Sequence, residues 1–271
     1  SVRNAFVLSA LAFVAQLEEP PHDALLVEQK ALHKAATGPH NWCLTDDLFQ
    51  LDSAFNMPFR FRSLSFTARA SQLRVAIWED GANGGLQVQR RAQQLRSLMD
   101  HTTEYIGRRW LWDRWYEGSF LFQLQRTLRH FADLGTTPHS LLRDITLRAP
   151  RPWTQEVEKR AKRTTQRAAY EVLLQPLRDT FRDRLEHKIV RWNLPGHPPW
   201  VAQRILTRVR ALRNLVPPRV QAAVFSTLWN RWTTARRFQV RGTPCLLGCS
   251  QEGHEDSVEH YLCCPVVTEV A

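Results

Sequence analysis

Apolar residues recur three and four positions apart along almost every segment of this 271-residue chain, and no convincing stretch alternates in the strand period. A helix buries one stripe and needs another helix to cover it, so this periodicity restricts the chain to helix-on-helix packing. The expected fold class is mainly α, with helical bundles followed by a small zinc-knuckle tail. Ala5 to Leu17 reads as a helix apolar on most faces. "PHDALLVEQKALHKAATGP" opens on Pro and Asp and closes at Gly38-Pro39, with Leu25, Glu28, Leu32 and Ala36 at amphipathic spacing. A third helix is expected from Asp46 to Phe55, capped by Thr45. A fourth is capped by Ser63 and buries Phe66, Ala70, Leu73 and Ile77.

"GANGG" (Gly81 to Gly85) is a flexible break, and a polar helix follows with Val88, Leu95 and Leu98. "RRWLWDRWYEGSFLF" is an aromatic knot with Trp110, Trp112, Trp115, Tyr116, Phe120 and Phe122, read as core because leucines are interleaved. "RAPRPW" (Arg148 to Trp153) is the main expected linker. Beyond it, Thr154 to Trp192 forms a long helix with Leu173, Leu177, Phe181, Leu185 and Ile189 on one face and a kink at Pro176. Two short helices then bury Val201, Ile205, Val209 and Leu212, and Val220, Val224 and Leu228. The expected regions are 1–147, helical; 148–241, basic and helical; and 242–271, a zinc-binding knuckle.

Charge narrows the function. The formal net charge is +11, from 37 basic and 26 acidic residues. From His187 to Gln251 there is no Asp or Glu, while Lys188 and arginines 191, 204, 208, 210, 213, 219, 231, 236, 237 and 241 stand in that stretch. Those eleven cations equal the whole net charge. A helix surface normally mixes signs, whereas a block of one sign repels itself until a polyanion neutralises it. Arginine in place of lysine suits bidentate contact with phosphate. Arg204, Arg208, Arg231, Arg236, Arg237 and Arg241 are the candidate phosphate contacts, with Trp229 and Trp232 as candidates for stacking on bases. No 18-residue apolar run exists, so no membrane span is expected.

Four of the five cysteines crowd into "CLLGCSQEGHEDSVEHYLCC", Cys245 to Cys264. An odd, clustered set fits a disulfide framework poorly and fits metal well. Cys245 and Cys249 form one close pair, and His260 and Cys264 form the other, four apart on an expected helix capped by Asp256 with Glu259 completing a box. Cys263 is the alternative fourth ligand, and His254 a weaker candidate. Gly248 suits the turn within the first pair. A closed set of three thiolates and one imidazole implies structural zinc and leaves no open position for Lewis-acid catalysis.

"LWNRWTTARRFQ", then "CLLGC", an acidic spacer and "DSVEHYLCCP" resemble the zinc-binding C-terminal region of non-LTR (LINE-type) retrotransposon reverse transcriptases. "FVLSALAFVAQL" and "GPHNWCLTDDLFQLDSAFNMPFRFRSLSFTARASQLRVA" are similar to the helical, thumb-like stretch after the polymerase palm in such polyproteins. The resemblance makes the His and the Cys preceding Pro ligands, which favours Cys264, next to Pro265. It implies RNA-directed DNA polymerase as the parent activity, RNA or DNA as partner, and an intracellular, nuclear setting. It also implies an upstream palm in which magnesium sits between aspartates. The chain begins at Ser1, not Met, and is expected to be a fragment lacking that palm. Asp46-Asp47 is the only adjacent Asp pair, and it reads as the acidic first turn of a helix. A zinc-stapled, non-catalytic protein-interaction module is the competing expectation.

Overall fold

The computed structural model describes residues 14–39, 42–58, 60–80, 87, 90–98, 116–148, 154–192, 196–249 and 255–270. It is mainly helical. The helices are α1 (His22–Ala35), α2 (Thr45–Phe49), α3 (Leu51–Phe55), α4 (Leu64–Asp80), α5 (Phe120–Asp133), α6 (Pro138–Arg148), α7 (Gln155–Val190), α8 (Pro198–Ala211), α9 (Pro218–Leu228), α10 (Val258–Tyr261) and α11 (Pro265–Val270). A 3-10 turn, Leu212–Asn214, follows α8. Among the described residues there is no strand, only an isolated antiparallel bridge between Pro244 and Glu255. No described helix is long and apolar enough to cross a membrane. The glycine break and Trp110, Trp112, Trp115 and Val88 lie outside the described residues, as do most of the first expected helix and of the linker.

The chain divides into two compact units, each built from separated stretches: Ser1–Glu28 with Arg62–Pro176, and Gln29–Phe61 with Leu177–Ala271. In the first unit α4 packs against α5 and α6. Ala68, Leu73 and Ile77 of α4 and Leu124 and Phe131 of α5 are buried. A polar layer runs through this core: the Gln123 side-chain carbonyl accepts from Gln72 Nε2 at 3.1 Å and from the Glu19 N–H at 2.8 Å. Buried amides are tolerated because each finds a partner. The start of α4 carries the expected Ser63 cap and a second acceptor beside it. Ser63 Oγ accepts from Phe66 N–H only at 3.4 Å, and the buried Glu28 carboxylate accepts from Leu64 N–H at 3.0 Å. A carboxylate there also complements the positive end of the helix dipole.

The second unit closes around an aromatic cluster. Phe55, fully buried, meets Phe181, Phe225 and Trp229 edge-on at ring-centroid distances of 5.9, 5.3 and 6.1 Å. Trp229 stacks on Phe181 at 4.8 Å, and Trp42 meets Phe225 at 5.4 Å. Such pairs favour edge and offset contacts because ring faces are negative and edges positive. The cluster sets the roll of α9: Gln221, Phe225 and Leu228 are buried, whereas Val220, expected inside, is 38% exposed. Drawing Phe225 into the cluster rotates the inward face by about one residue, and Gln221 then donates to Phe55 O at 3.3 Å and Val209 O at 3.4 Å. On α8 the buried positions are Val201, Ala202, Leu206 and Val209, with Ile205 and Leu212 only half-buried. The α7 face holds at Leu173, Phe181, Leu185 and Ile189, and helix continues through Pro176, where the two units divide.

The expected Asp46–Phe55 helix is two short helices that meet at Gln50. Its cap is not Thr45. Asp47 reaches back, and its Oδ2 accepts from Leu44 N–H at 3.0 Å. The same carboxylate accepts from Trp229 Nε1 at 2.9 Å and from Arg184 Nε at 2.9 Å, with Arg184 Nη2 beside it, and Asp47 is 1% exposed. Asp47→Asn removes the ionic half of this arrangement and leaves Arg184 without its carboxylate. The expected cost is about 3 kcal/mol, since breaking one partner of a buried pair strands the other. A urea-unfolding midpoint for Asp47→Asn that matches wild type would refute this role.

Candidate metal centre

The two turns that carry the ligands are built locally. Cys245 begins a turn in which Gly248 N–H donates to Cys245 O at 3.1 Å. Gly248 adopts φ 69°, a left-handed conformation that a side chain disfavours, so glycine at this place is a geometric requirement of the turn. His260 rides on α10, whose cap is Ser257: its side chain accepts from His260 N–H at 3.1 Å, and Cys264, expected on the same helix, follows in the turn between α10 and α11. Asp256, expected as the cap, does other work. Its carboxylate accepts from Ala235 N–H at 2.7 Å and from the Tyr261 hydroxyl, while its backbone carbonyl accepts from Arg236 N–H at 3.1 Å. Burial and the Asp256 carboxylate push the Tyr261 hydroxyl pKa up, so it stays a donor.

Cys245, Cys249, His260 and Cys264 come together with all four ligand atoms within 4.8 Å of one another. Cys245 Sγ lies 4.0 Å from Cys264 Sγ, and Cys249 Sγ lies 3.1 Å from His260 Nε2. A tetrahedral ion bonded at about 2.3 Å to each sulfur puts thiolates roughly 3.8 Å apart, so the set is already close to a ligand tetrahedron. Cys245, His260 and Cys264 are buried and Cys249 is half-buried. Burial of the Cys245 thiol opposes ionisation. Hydrogen bonds to its sulfur from the Leu247 and Cys249 N–H groups, and from the Cys249 and Cys264 thiols, outweigh it, and the net pKa shift is downward. Donors aimed at a sulfur favour the thiolate that a metal needs.

Cys263 is not part of the cluster. It is exposed, with Sγ against the carbonyls of His260 at 3.3 Å and Glu259 at 3.8 Å. The fourth ligand position is therefore filled by Cys264, one residue further along the chain. His254 lies outside the described residues. The fifth cysteine, Cys43, is buried far along the chain, and burial with the nearby Asp47 raises its pKa to about 12, so it is an inert thiol.

The candidate phosphate and base contacts separate into two sets. Arg204, Arg208, Arg236 and Arg241 are exposed, and no carboxylate pairs with them among the described residues. Arg204 lies over the Trp200 ring at 4.5 Å. Arg231 and Arg237 are half-buried and hold backbone and side chains in place. Arg231 donates to Thr37 Oγ1 at 3.0 Å and covers the Trp42 ring at 5.3 Å; Arg237 donates to Asn230 O. Trp229 is a correction: at 1% exposure, stacked on Phe181 and bonded to Asp47, it has no face to offer a base. Trp232 is 46% exposed, with Nε1 donating to Thr227 Oγ1 at 2.9 Å. The ion pair between Arg191 and Glu259, at 3.2 Å, ties α10 to the end of α7 and escaped the sequence reading. Its partners are 68 positions apart, and nothing local signals the pairing.

The chain matches no protein-family model, no curated protein and no solved structure.

The geometry predicts a single metal ion per chain by elemental analysis after purification without chelator. Cys264→Ser should abolish it and Cys263→Ser should leave it unchanged. Equal metal loss in both variants would contradict the assignment of the fourth ligand.

Proposed function

We propose that this chain grips nucleic acid, as the C-terminal part of a retrotransposon RNA-directed DNA polymerase, with a structural zinc ion fixing its tail against an Arg-rich helical region. The observation that carries the reading is the acid-free stretch from His187 to Gln251 with its eleven cations, of which Arg204, Arg208, Arg236 and Arg241 stand exposed. Exposed guanidinium groups without carboxylates are ready to replace the counterions of a phosphodiester chain. Trp232 adds an exposed ring beside them in sequence. The resemblance of the tail and of the "CLTDDLFQ" region to LINE-type reverse transcriptases supplies the parent activity.

Zinc is the ion this donor set favours, because three thiolates and an imidazole select a borderline-soft, tetrahedral metal. Its contribution is structural. The described residues of the 242–271 tail bury few large side chains, chiefly Val258 among aliphatics, too little to offset their own chain entropy. The ion joins the Cys245–Cys249 turn to α10, and Asp256 and Glu259 then hold that assembly to Ala235, Arg236 and Arg191. Asp46 and Asp47 take no part in metal chemistry on this reading, since Asp47 is occupied by Leu44, Arg184 and Trp229. On this reading any magnesium chemistry lies in the polymerase palm of the parent family and not in the residues described for this chain.

The test is filter binding of the zinc-loaded chain to single-stranded RNA and DNA across a salt series. Each phosphate contact contributes about −0.7 to the slope of log affinity against log salt for single strands, and Arg204→Ala with Arg208→Ala should lessen the slope by roughly 1.4. A flat salt response in the parent chain would remove the proposal.

A further inference from the structure

Several cations away from α8 gather at one corner of the second unit. Arg184, Lys188 and Arg191 stand four and three residues apart near the end of α7, on one face. They meet the chain where α9 ends. The Lys188 amine lies over the Trp229 ring at 5.8 Å, Arg191 donates to Leu228 O at 3.3 Å, and Arg237 donates to Asn230 O. Arg236 follows, with its backbone N–H on Asp256 O.

Three carboxylates face this corner, and each has a partner already: Asp256 accepts from Ala235 N–H at 2.7 Å and from the Tyr261 hydroxyl. Asp47 takes Arg184, and Glu259 takes Arg191 at 3.2 Å. Lys188, Arg236 and Arg237 have no carboxylate among the described residues. Burial first, and then the charges of Arg191, Arg237 and Arg184, pull the Lys188 pKa down despite Asp47. The negative end of the α7 dipole favours Lys188 and Arg191. It does nothing for Arg236 and Arg237, which come from a turn outside that helix.

Resting on the nucleic-acid reading, we infer that Lys188, Arg236 and Arg237, gathered over the Leu228–Asn230 corner beside the metal-held tail, form a cradle for a phosphodiester group of the bound strand. A phosphate there would neutralise the three cations that the fold brings together and leaves unmatched. The corner is thereby assigned a second contact zone, distinct from Arg204 and Arg208 on α8.

Lysine footprinting of the zinc-loaded chain tests this without any variant. The chain has five lysines: 30, 34, 159, 162 and 188. A water-soluble acetylating reagent is applied with and without a 20-nucleotide oligo(U), and modification is read by mass spectrometry. Lys188 should be protected about tenfold while the other four change less than twofold. Equal protection at all five, or none at Lys188 while the oligonucleotide is demonstrably bound, overturns the cradle and leaves the nucleic-acid reading standing. Failure of the chain to bind the oligonucleotide at all overturns both. In parallel, Lys188→Gln and Arg236→Gln should each weaken binding about tenfold and lower the salt slope by about 0.7, with Arg219→Gln as the control for loss of an exposed cation elsewhere. Lys188→Gln or Arg236→Gln binding like Arg219→Gln would also sink the cradle.

Discussion

A carboxylate taken out of water must be met by cations or hydrogen-bond donors, and Asp47 is met by both. Its two oxygens reach a backbone N–H that starts α2, a guanidinium from α7 and the indole of Trp229 at the end of α9. Three segments that share no local sequence are thereby fixed to one group. The aromatic cluster around Phe55 packs against that frame and supplies the apolar burial. Orientation comes from the charge, and most of the cohesion from the rings.

The tail that carries the Cys245–Cys249–His260–Cys264 cluster is attached to this frame by polar stitches. Asp256 receives Ala235 and Tyr261 while Glu259 receives Arg191. The ligand set closes the tail on itself, and the stitches orient it against the end of α7 and the turn after α9. Arginine serves two purposes in the same stretch. Arg210 and Arg213 hold the Ser53–Asn56 corner through Ala54 O at 3.0 Å and Asn56 Oδ1 at 2.6 Å, whereas Arg208 and Arg241 face solvent. A count of basic residues therefore overstates the surface that is open to a polyanion.

The helical class and the four ligands were legible because each depends on short spacing: three and four residues for a stripe, four for Cys245 to Cys249 and for His260 to Cys264. The choice of Cys264 over Cys263 rested on its four-residue spacing from His260 and was strengthened by the resemblance, since Cys263 also stands within a turn of His260. What short spacing cannot carry is long-range pairing. Thr45 and Asp256 were the natural local caps, yet Asp47 and Ser257 hold those positions: Asp256 is drawn to Ala235 and Tyr261, while the buried Asp47 carboxylate reaches Leu44 N–H as well as its distant partners. Val220 and Phe225 were equally apolar, and only the cluster around Phe55 decides which of them turns inward. Trp229 beside Arg231 looked like a stacking platform until its partners, 48 and 182 residues away, were in place.

The second unit draws Gln29–Phe61 from early in the chain and Leu177–Ala271 from its end. On a ribosome, Trp42 and Phe55 emerge well over a hundred residues before the rings that cover them. Closing so long a loop is entropically slow, and apolar surface left waiting invites association with other chains. Nascent copies stopped short of Phe181 would thus carry uncovered aromatic faces, which makes this protein a natural client for chaperones during its synthesis.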